Sequence, residues 1–488
     1  MIVIVAAVLY LLLINQFSGN YDEGVYWQSL RAMAQGHPLF TAIFSSQPPY
    51  FLTSLYPFYM LFGQDIAAAR IGIAVFALLG VVAMFWLGSE LGGTWAGLIA
   101  AVLLAFEPFY LRQARTLESD GPAVAVSILA VALAAAAMSR SGTARHRLAA
   151  LSGAILVYGL LIKLFAIVAL VPILLCLVTP FFRVFDAGEG RLRRPTAAAL
   201  RRGARAALPD LAWLAAGALV AALLLLVPFV GAFRTMWDQV IAFHIAAQKG
   251  LPSKLTEDFA TAMSGFNLLF LLALVALGLA AWRRAWKMAL PLLWLLASLL
   301  MLARLTPFFN HYAVLITPGV ALMIALAPGL LAPIISRPTG YWLRVAVALA
   351  ITAAIAVTLI TDLTTSQTTL SKGIPASAQT QMAAVNAFTI PGELVVTDDP
   401  YVVAQAGHSV PPELVDTSHV RISTSSLTTQ DLERIIERDH VRVIVIANDR
   451  LPSLTGFMPW LLQRYALAGR VGAQFAIYIR APSSPGVA

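Results

Sequence analysis

Apolar stretches long enough to cross a bilayer recur along most of the first 365 residues, and that recurrence leaves little choice of fold. A hydrocarbon core about 30 Å thick takes about 20 apolar residues of helix. About eleven such runs can be read, near 1–17, 66–88, 95–111, 121–138, 148–164, 165–182, 209–230, 266–282, 288–303, 312–334 and 342–362. In lipid each backbone polar group must be satisfied within the segment, which helices achieve and open sheets do not. The expectation is a polytopic α-helical membrane protein. A composition of 59% hydrophobic and 12% charged residues agrees, since soluble domains are roughly half apolar.

The net charge of +9 sits in short loops between apolar runs, where it orients a chain in the membrane. Nucleic acid is therefore discounted as a partner. If Lys163 marks a reversal between the fifth and sixth runs, one set of loops collects Arg140, Arg145, Arg147, Arg183, Arg191, Arg193, Arg194, Arg201, Arg202, Arg205, Arg283, Arg284, Lys287, Arg337 and Arg344. The opposite loops are longer yet carry only Arg31, Arg112, Arg115, Arg234, Lys249, Lys254 and Arg304. The positive-inside rule then places the N-terminus in the cytoplasm and the sparsely basic loops outside. The single cysteine, Cys176, excludes an intrachain disulfide or a cysteine-rich metal site. The first run has neither a basic leader nor a small-residue cleavage site, so it reads as a retained span.

Two outer loops stand out. In residues 18–65, Tyr21, Tyr26, Trp27 and Tyr50 flank Pro48-Pro49 between two amphipathic patterns, which fits helices lying in the membrane interface. Residues 231–265, with Trp237, His244, Lys249 and Lys254, have the same character, and the pair either roofs a cavity or anchors the surface. After the last run the composition changes. Strands are expected at 393–397, 442–447 and 474–480, with an amphipathic helix capped at Thr428. Residues 375–488 thus read as a small extracytoplasmic α/β domain following a membrane domain over 1–365. Asp398-Asp399-Pro400 within it reads as a turn.

Two acidic clusters fall on the outer side. Asn20-Tyr21-Asp22-Glu23 follows the first run, and carboxylates are costly beside lipid, although acids also suit the first turn of an interfacial helix. Glu118 and Asp120 follow Arg112 and Arg115 between the third and fourth runs. Clusters about a hundred residues apart thus face one membrane surface, the first requirement of a site.

The ordered set Tyr21-Asp22-Glu23, Gln47-Pro48-Pro49-Tyr50, Ala69-Arg70, Arg115 to Asp120 and Gly159 to Lys163 resembles the GT-C glycosyltransferases that use polyprenyl-phosphate sugars. That group contains the protein O-mannosyltransferases and the lipid A aminoarabinose transferase. Phe309-Asn310-His311-Tyr312 and Val415-Asp416-Thr417-Ser418 look like its bacterial members. The resemblance implies a GT-C-like multi-pass enzyme of the bacterial cytoplasmic membrane, taking sugar from a polyprenyl-phosphate donor to an acceptor hydroxyl on protein, lipid or envelope glycan. It implies Asp22 as general base with inversion at the anomeric carbon, Glu23 orienting it or the acceptor, and Asp120, with Glu118 as the alternative candidate, holding sugar hydroxyls or assisting the base. Tyr21 and Arg115 would contact sugar or acceptor. Positive charge for the leaving phosphate would come from Arg70, Lys163, Arg304 and His311; snorkelling for Lys163 and packing for His311 are the structural alternatives. Relatives often carry a lysine where this chain has Gln47. Carboxylates with water could hold a divalent ion, but no dense ligand set is present, so an essential metal is not expected. A lipid-sugar transporter or flippase and a silent envelope scaffold are the competing readings, though transporters tend to show repeat symmetry and none is visible.

Overall fold

Helices occupy the apolar runs, and where they stop the cause is local. In the computed structural model the described residues are 1–179, 196–250, 267–283, 288–335 and 341–481. Outside them lie Arg183, Arg191, Arg193, Arg194, Lys254, Arg284, Lys287 and Arg337 of the orienting set, residues 251–265 of the second outer loop and 482–488 of the tail; the Arg344 side chain is likewise not described. Among the described residues, five helical stretches are long and apolar enough to span a membrane: Ile66–Gly92, Asp120–Met138, Gly142–Ile162, Ala197–Lys249 and Asn310–Leu330. Shorter apolar helices cover Ile2–Leu11, Thr94–Phe106, Leu164–Leu177, Leu269–Trp282 and Ala289–Leu302. The protein is a multi-pass membrane protein.

Two runs are cut shorter than expected, and a third divides where expected. The first helix ends at Leu11 rather than near 17. The run 95–111 breaks at Glu107, whose carboxylate accepts the Tyr110 N–H at 2.8 Å and caps a short helix, Pro108–Gln113, with proline in its first turn. Lys163 divides the long run near 148–182 as the sequence predicts. Its backbone is extended (φ −155°, ψ 135°), between the helix ending at Ile162 and a 3-10 turn over Leu164–Ala169.

The chain forms two compact units. The first comprises Met1–Leu13, Ile73–Pro228 and Lys254–Gln367. Its helix Asp120–Met138 is buried along nearly its whole length. The helices Gly142–Ile162 and Ala197–Leu226 approach so closely that a Cβ on Gly153 or Gly217 would strike the opposing backbone, the role small residues have between membrane helices.

The second unit comprises Ile14–Gly72, Phe229–Ser253 and Thr368–Ala488. Besides the tail from Thr368, this unit takes in the first outer loop and part of the second. Helices Tyr21–Ala34 and Tyr50–Phe62 lie on either side of Pro48-Pro49, matching the two amphipathic patterns. The tail has a four-stranded sheet of β1 (Val395–Thr397), β2 (Val443–Ile446), β3 (Tyr465–Val471) and β4 (Phe475–Arg480), ordered β1-β2-β4-β3. β1 and β2 are parallel and the other pairs antiparallel. Three strands are those expected; β3 is additional. Thr428 and Asp431 form a reciprocal capping box for the helix Thr429–Arg438, which buries Leu432, Ile435 and Ile436. In the Asp398-Asp399 turn, Asp399 caps the helix Pro400–Gln405, while buried Asp398 accepts the Ala447 N–H at 2.7 Å.

Candidate active site

In the second unit the acidic pair opens a helix. Asn20 is its N-cap, and its side-chain oxygen accepts the N–H groups of Asp22 at 2.8 Å and Glu23 at 3.4 Å, while the carboxylates of the first turn suit the positive end of the dipole. The pair then divides. Glu23 is fully buried and takes a bidentate ion pair from Arg70, Nε to Oε1 at 2.8 Å and Nη2 to Oε2 at 2.6 Å. The Ser18 hydroxyl also donates to Glu23. Arg70 spends its remaining nitrogen on the carbonyls of Ile14 (2.9 Å) and Gln16 (2.7 Å). Asp22 is half-buried at the same helix start. Tyr21 donates its hydroxyl to Asp416 Oδ1 at 3.0 Å and accepts the Thr417 N–H at 2.7 Å. Burial first, then the charge of Asp416, hold its pKa well above 10, so the hydroxyl stays a donor.

In the first unit Asp120 begins its helix almost completely buried, and Lys163 donates to its Oδ2 at 2.7 Å. The extended residue that breaks the apolar run therefore aims its ammonium at the second acidic cluster. Lys163 also lies 4.7 Å from the ring centres of both Phe165 and Tyr312, a cation–π seat of the kind that desolvation strengthens. His311 lies 3.8 Å from Asp120 and 3.9 Å from Glu118, with its ring stacked on Phe309. Glu118 accepts from Gln113 Nε2 at 2.5 Å. Arg115 instead turns to the Leu9 carbonyl at 2.9 Å. Arg304 is exposed and makes no ion pair with the described residues. Beneath Asp120 is a cavity lined by Ser127, Phe165, Trp294 and Leu315, with room for about one water molecule. Asp120 Oδ1 and Ser127 Oγ are buried without hydrogen-bond partners among the described residues. In this unit Glu118 and His311 are a carboxylate and an imidazole of the kind able to ligate a divalent ion.

Residues 46–193 match the family model described as dolichyl-phosphate-mannose-protein mannosyltransferase. The structure is similar to that of ArnT from Cupriavidus metallidurans bound to undecaprenyl phosphate, with a TM-score of 0.70 at 16% identity over 99% of this chain and 98% of that one. The Archaeoglobus fulgidus oligosaccharyltransferase in complex with zinc and sulfate matches with a TM-score of 0.55 at 15% identity, over 98% of this chain and 73% of that one. No curated protein matches by sequence. The chain has the GT-C glycosyltransferase fold.

Within that fold the structure gathers Lys163, Asp120, Glu118 and His311 in one unit and Tyr21, Asp22, Glu23 and Arg70 in the other. Sequence reasoning missed Asn20 as cap, Gln113 as partner of Glu118, and Tyr401, Asp416 and Arg450 around the Tyr21 helix. Asn followed by Asp-Glu is a cap signature that could have been found. The tail partners had no local signal beyond Val415-Asp416-Thr417-Ser418, because they meet a helix almost four hundred residues upstream.

Proposed function

We propose that this GT-C protein moves one sugar from a polyprenyl-phosphate carrier to a hydroxyl of an extracytoplasmic acceptor, with inversion at the anomeric carbon and Asp22 as general base. Asp22 takes the acceptor proton as the hydroxyl oxygen bonds to the anomeric carbon. The bond from that carbon to the carrier phosphate breaks, and the polyprenyl phosphate leaves. An alcohol has a pKa far above seven, so a positioned carboxylate lowers the barrier by removing the proton in the transition state. Lys163, His311 and Arg304 supply positive charge to the leaving phosphate. One of the three N–H donors of Lys163 goes to Asp120. Asp120 and Glu118 meet sugar hydroxyls. Arg70, wholly engaged by Glu23 and two carbonyls, sets the Asp22 helix and stays away from phosphate.

The observation that carries this reading is the division of the acidic pair: Glu23 is neutralised and buried by Arg70, while Asp22 sits half-buried beside it at a capped helix start. The fold likeness to a protein bound to undecaprenyl phosphate supports the donor class. In the membrane we assign about eleven spans, a cytoplasmic N-terminus and an extracytoplasmic tail, on the distribution of arginines. The test is Asp22→Asn in purified protein with a polyprenyl-phosphate sugar. Donor binding should persist while transfer falls about 10²- to 10⁴-fold. Near-normal transfer would remove Asp22 from the role.

A further inference from the structure

Open α/β sheets bind ligands in the crevice beyond the carboxyl ends of their parallel strands, and in the tail sheet that crevice is filled from within the chain. β1 and β2 are its parallel pair. Beyond their carboxyl ends lie Asp398 and Asp399 on one side and Asn448 to Arg450 on the other. The side chain that enters is Tyr21, 395 residues before Asp416, the group to which its hydroxyl donates. The Thr417 N–H donates back to that hydroxyl, and Thr417 Oγ1 donates to the carbonyl of Thr397 at the end of β1 at 3.1 Å. The Arg450 guanidinium lies 4.0 Å from the Tyr21 ring centre and donates to the Asp398 carbonyl at 3.0 Å. The ring is therefore held by hydroxyl, face and strand end at once.

The grip extends along the helix. Gly24 presses against Tyr401, where a Cβ would come within 2.7 Å of the Tyr401 Cα. The Tyr401 hydroxyl accepts the Ser18 N–H at 3.1 Å, and Gln28 and Arg31 both donate to the His408 carbonyl. These contacts bracket Asp22 before and after in sequence.

We propose that the tail domain is a positioning device for Asp22, and that Tyr21 is the positioning residue through which it acts. This rests on the reading of Asp22 as general base. A base works only within hydrogen-bond reach of the proton it removes, and a misplacement of about 1 Å can cost about 10²-fold. Tyr21 and Asp22 are adjacent in the first helical turn, so fixing the phenol in the sheet crevice fixes the backbone that carries the carboxylate.

The experiment uses the full chain in lipid nanodiscs with a polyprenyl-phosphate sugar, measuring donor binding, kcat and acceptor KM separately. Tyr21→Phe keeps the ring and removes the hydroxyl. It should lower kcat by about 10- to 100-fold with donor affinity and KM changed less than about threefold. Combined with Asp22→Asn it should lower kcat no further than Asp22→Asn alone, because residues acting through one group are not additive. Asp416→Asn, which still offers an oxygen to the Tyr21 hydroxyl, should retain most of the activity. Should Tyr21→Phe fail to fold, Arg450→Met, which frees the ring face, reads the same kcat loss at constant donor affinity. Wild-type kcat in the hydroxyl-less variant, or losses that multiply in the double variant, overturn the proposal while Asp22 stands. Near-normal transfer by Asp22→Asn alone overturns the base assignment and the proposal with it.

Discussion

Arg70 closes on Glu23 with two parallel hydrogen bonds, 2.8 and 2.6 Å long, and both side chains are almost wholly removed from solvent. Two charges buried together gain little net stability over an apolar pair, but either one left alone is costly. Ion pairing at this depth therefore makes the start of the Tyr21 helix intolerant of change. It also distinguishes two adjacent acids, Glu23 buried in the ion pair and Asp22 half-buried beside it.

Arg70→Met should destabilise the protein by about 3 to 5 kcal/mol, the loss expected when one member of a buried pair is removed. Arg70→Met with Glu23→Leu should recover much of that stability. Thermal unfolding of the purified variants decides it. A donor affinity that collapses in the double variant, despite recovered stability, would return Arg70 to the phosphate.

A second prediction concerns pH. Burial pushes the Asp398 carboxyl up to about 6 from 3.8, against the pull of the Ala447, Leu451 and Asn448 N–H groups. Between about pH 4 and pH 6 the folded tail then holds a proton that the unfolded chain has lost. Stability is therefore highest below pH 4, falls by roughly 3 kcal/mol as pH rises to 6, and is flat above. Asp398→Asn should flatten that fall in a pH series of unfolding midpoints. Taking the difference between the two proteins isolates Asp398 from His408, whose lowered pKa works in the opposite direction. An unchanged slope would mean that Asp398 titrates normally.

How much of this was legible depended on whether the signal was local. Lys163 was legible because a lone ammonium in a long apolar run is costly wherever it sits, and the backbone does break there. The Glu107 break was written in Glu-Pro, a cap followed by a first-turn proline, but the apolar count ran through it. Nothing local pairs Glu23 with Arg70, 47 residues apart. β3 escaped because it is an edge strand with only its first residue buried and a bulge between Leu467 and Gly469, so it shows no alternation. For Tyr21 the resemblance implied a contact with sugar or acceptor, and nothing local pointed to its hydrogen-bond partners in the tail.

Gly24→Ala offers a sharp third test. Alanine is the better helix former by about 1 kcal/mol, so intrinsic propensity predicts stabilisation. A Cβ here would collide with the Tyr401 backbone, and overpacking typically costs about 1 to 3 kcal/mol. The variant should therefore unfold at lower temperature than wild type. A higher midpoint would show that the helix and Tyr401 can separate freely.

The orientation of the chain gives a fourth. Arg201 is exposed near the start of the helix Ala197–Leu226, in the stretch assigned to the cytoplasm, and His419 is exposed in the tail. In intact cells, a membrane-impermeant thiol reagent should label His419→Cys and miss Arg201→Cys, while Cys176, buried, contributes no background. The reverse pattern would put the acidic clusters in the cytoplasm and end the extracytoplasmic acceptor.

The last prediction separates the two uses of Lys163. If its ammonium serves only to neutralise Asp120, removing both charges should be harmless; if it also meets the donor phosphate, it should not. Lys163→Met alone leaves Asp120 buried without its 2.7 Å partner and should destabilise by about 3 to 5 kcal/mol. Lys163→Met with Asp120→Asn removes the uncompensated charge and should restore the unfolding midpoint to near wild type. Donor affinity should nevertheless stay low, because a hydrogen bond to a charged group contributes about 1.5 to 3 kcal/mol, or about 10- to 150-fold in binding. Asp120→Asn alone, with Lys163 intact, should bind donor better than that double variant. Recovery of both stability and donor affinity in the double variant would reduce Lys163 to a structural counter-ion, and the phosphate role would pass to His311 and Arg304.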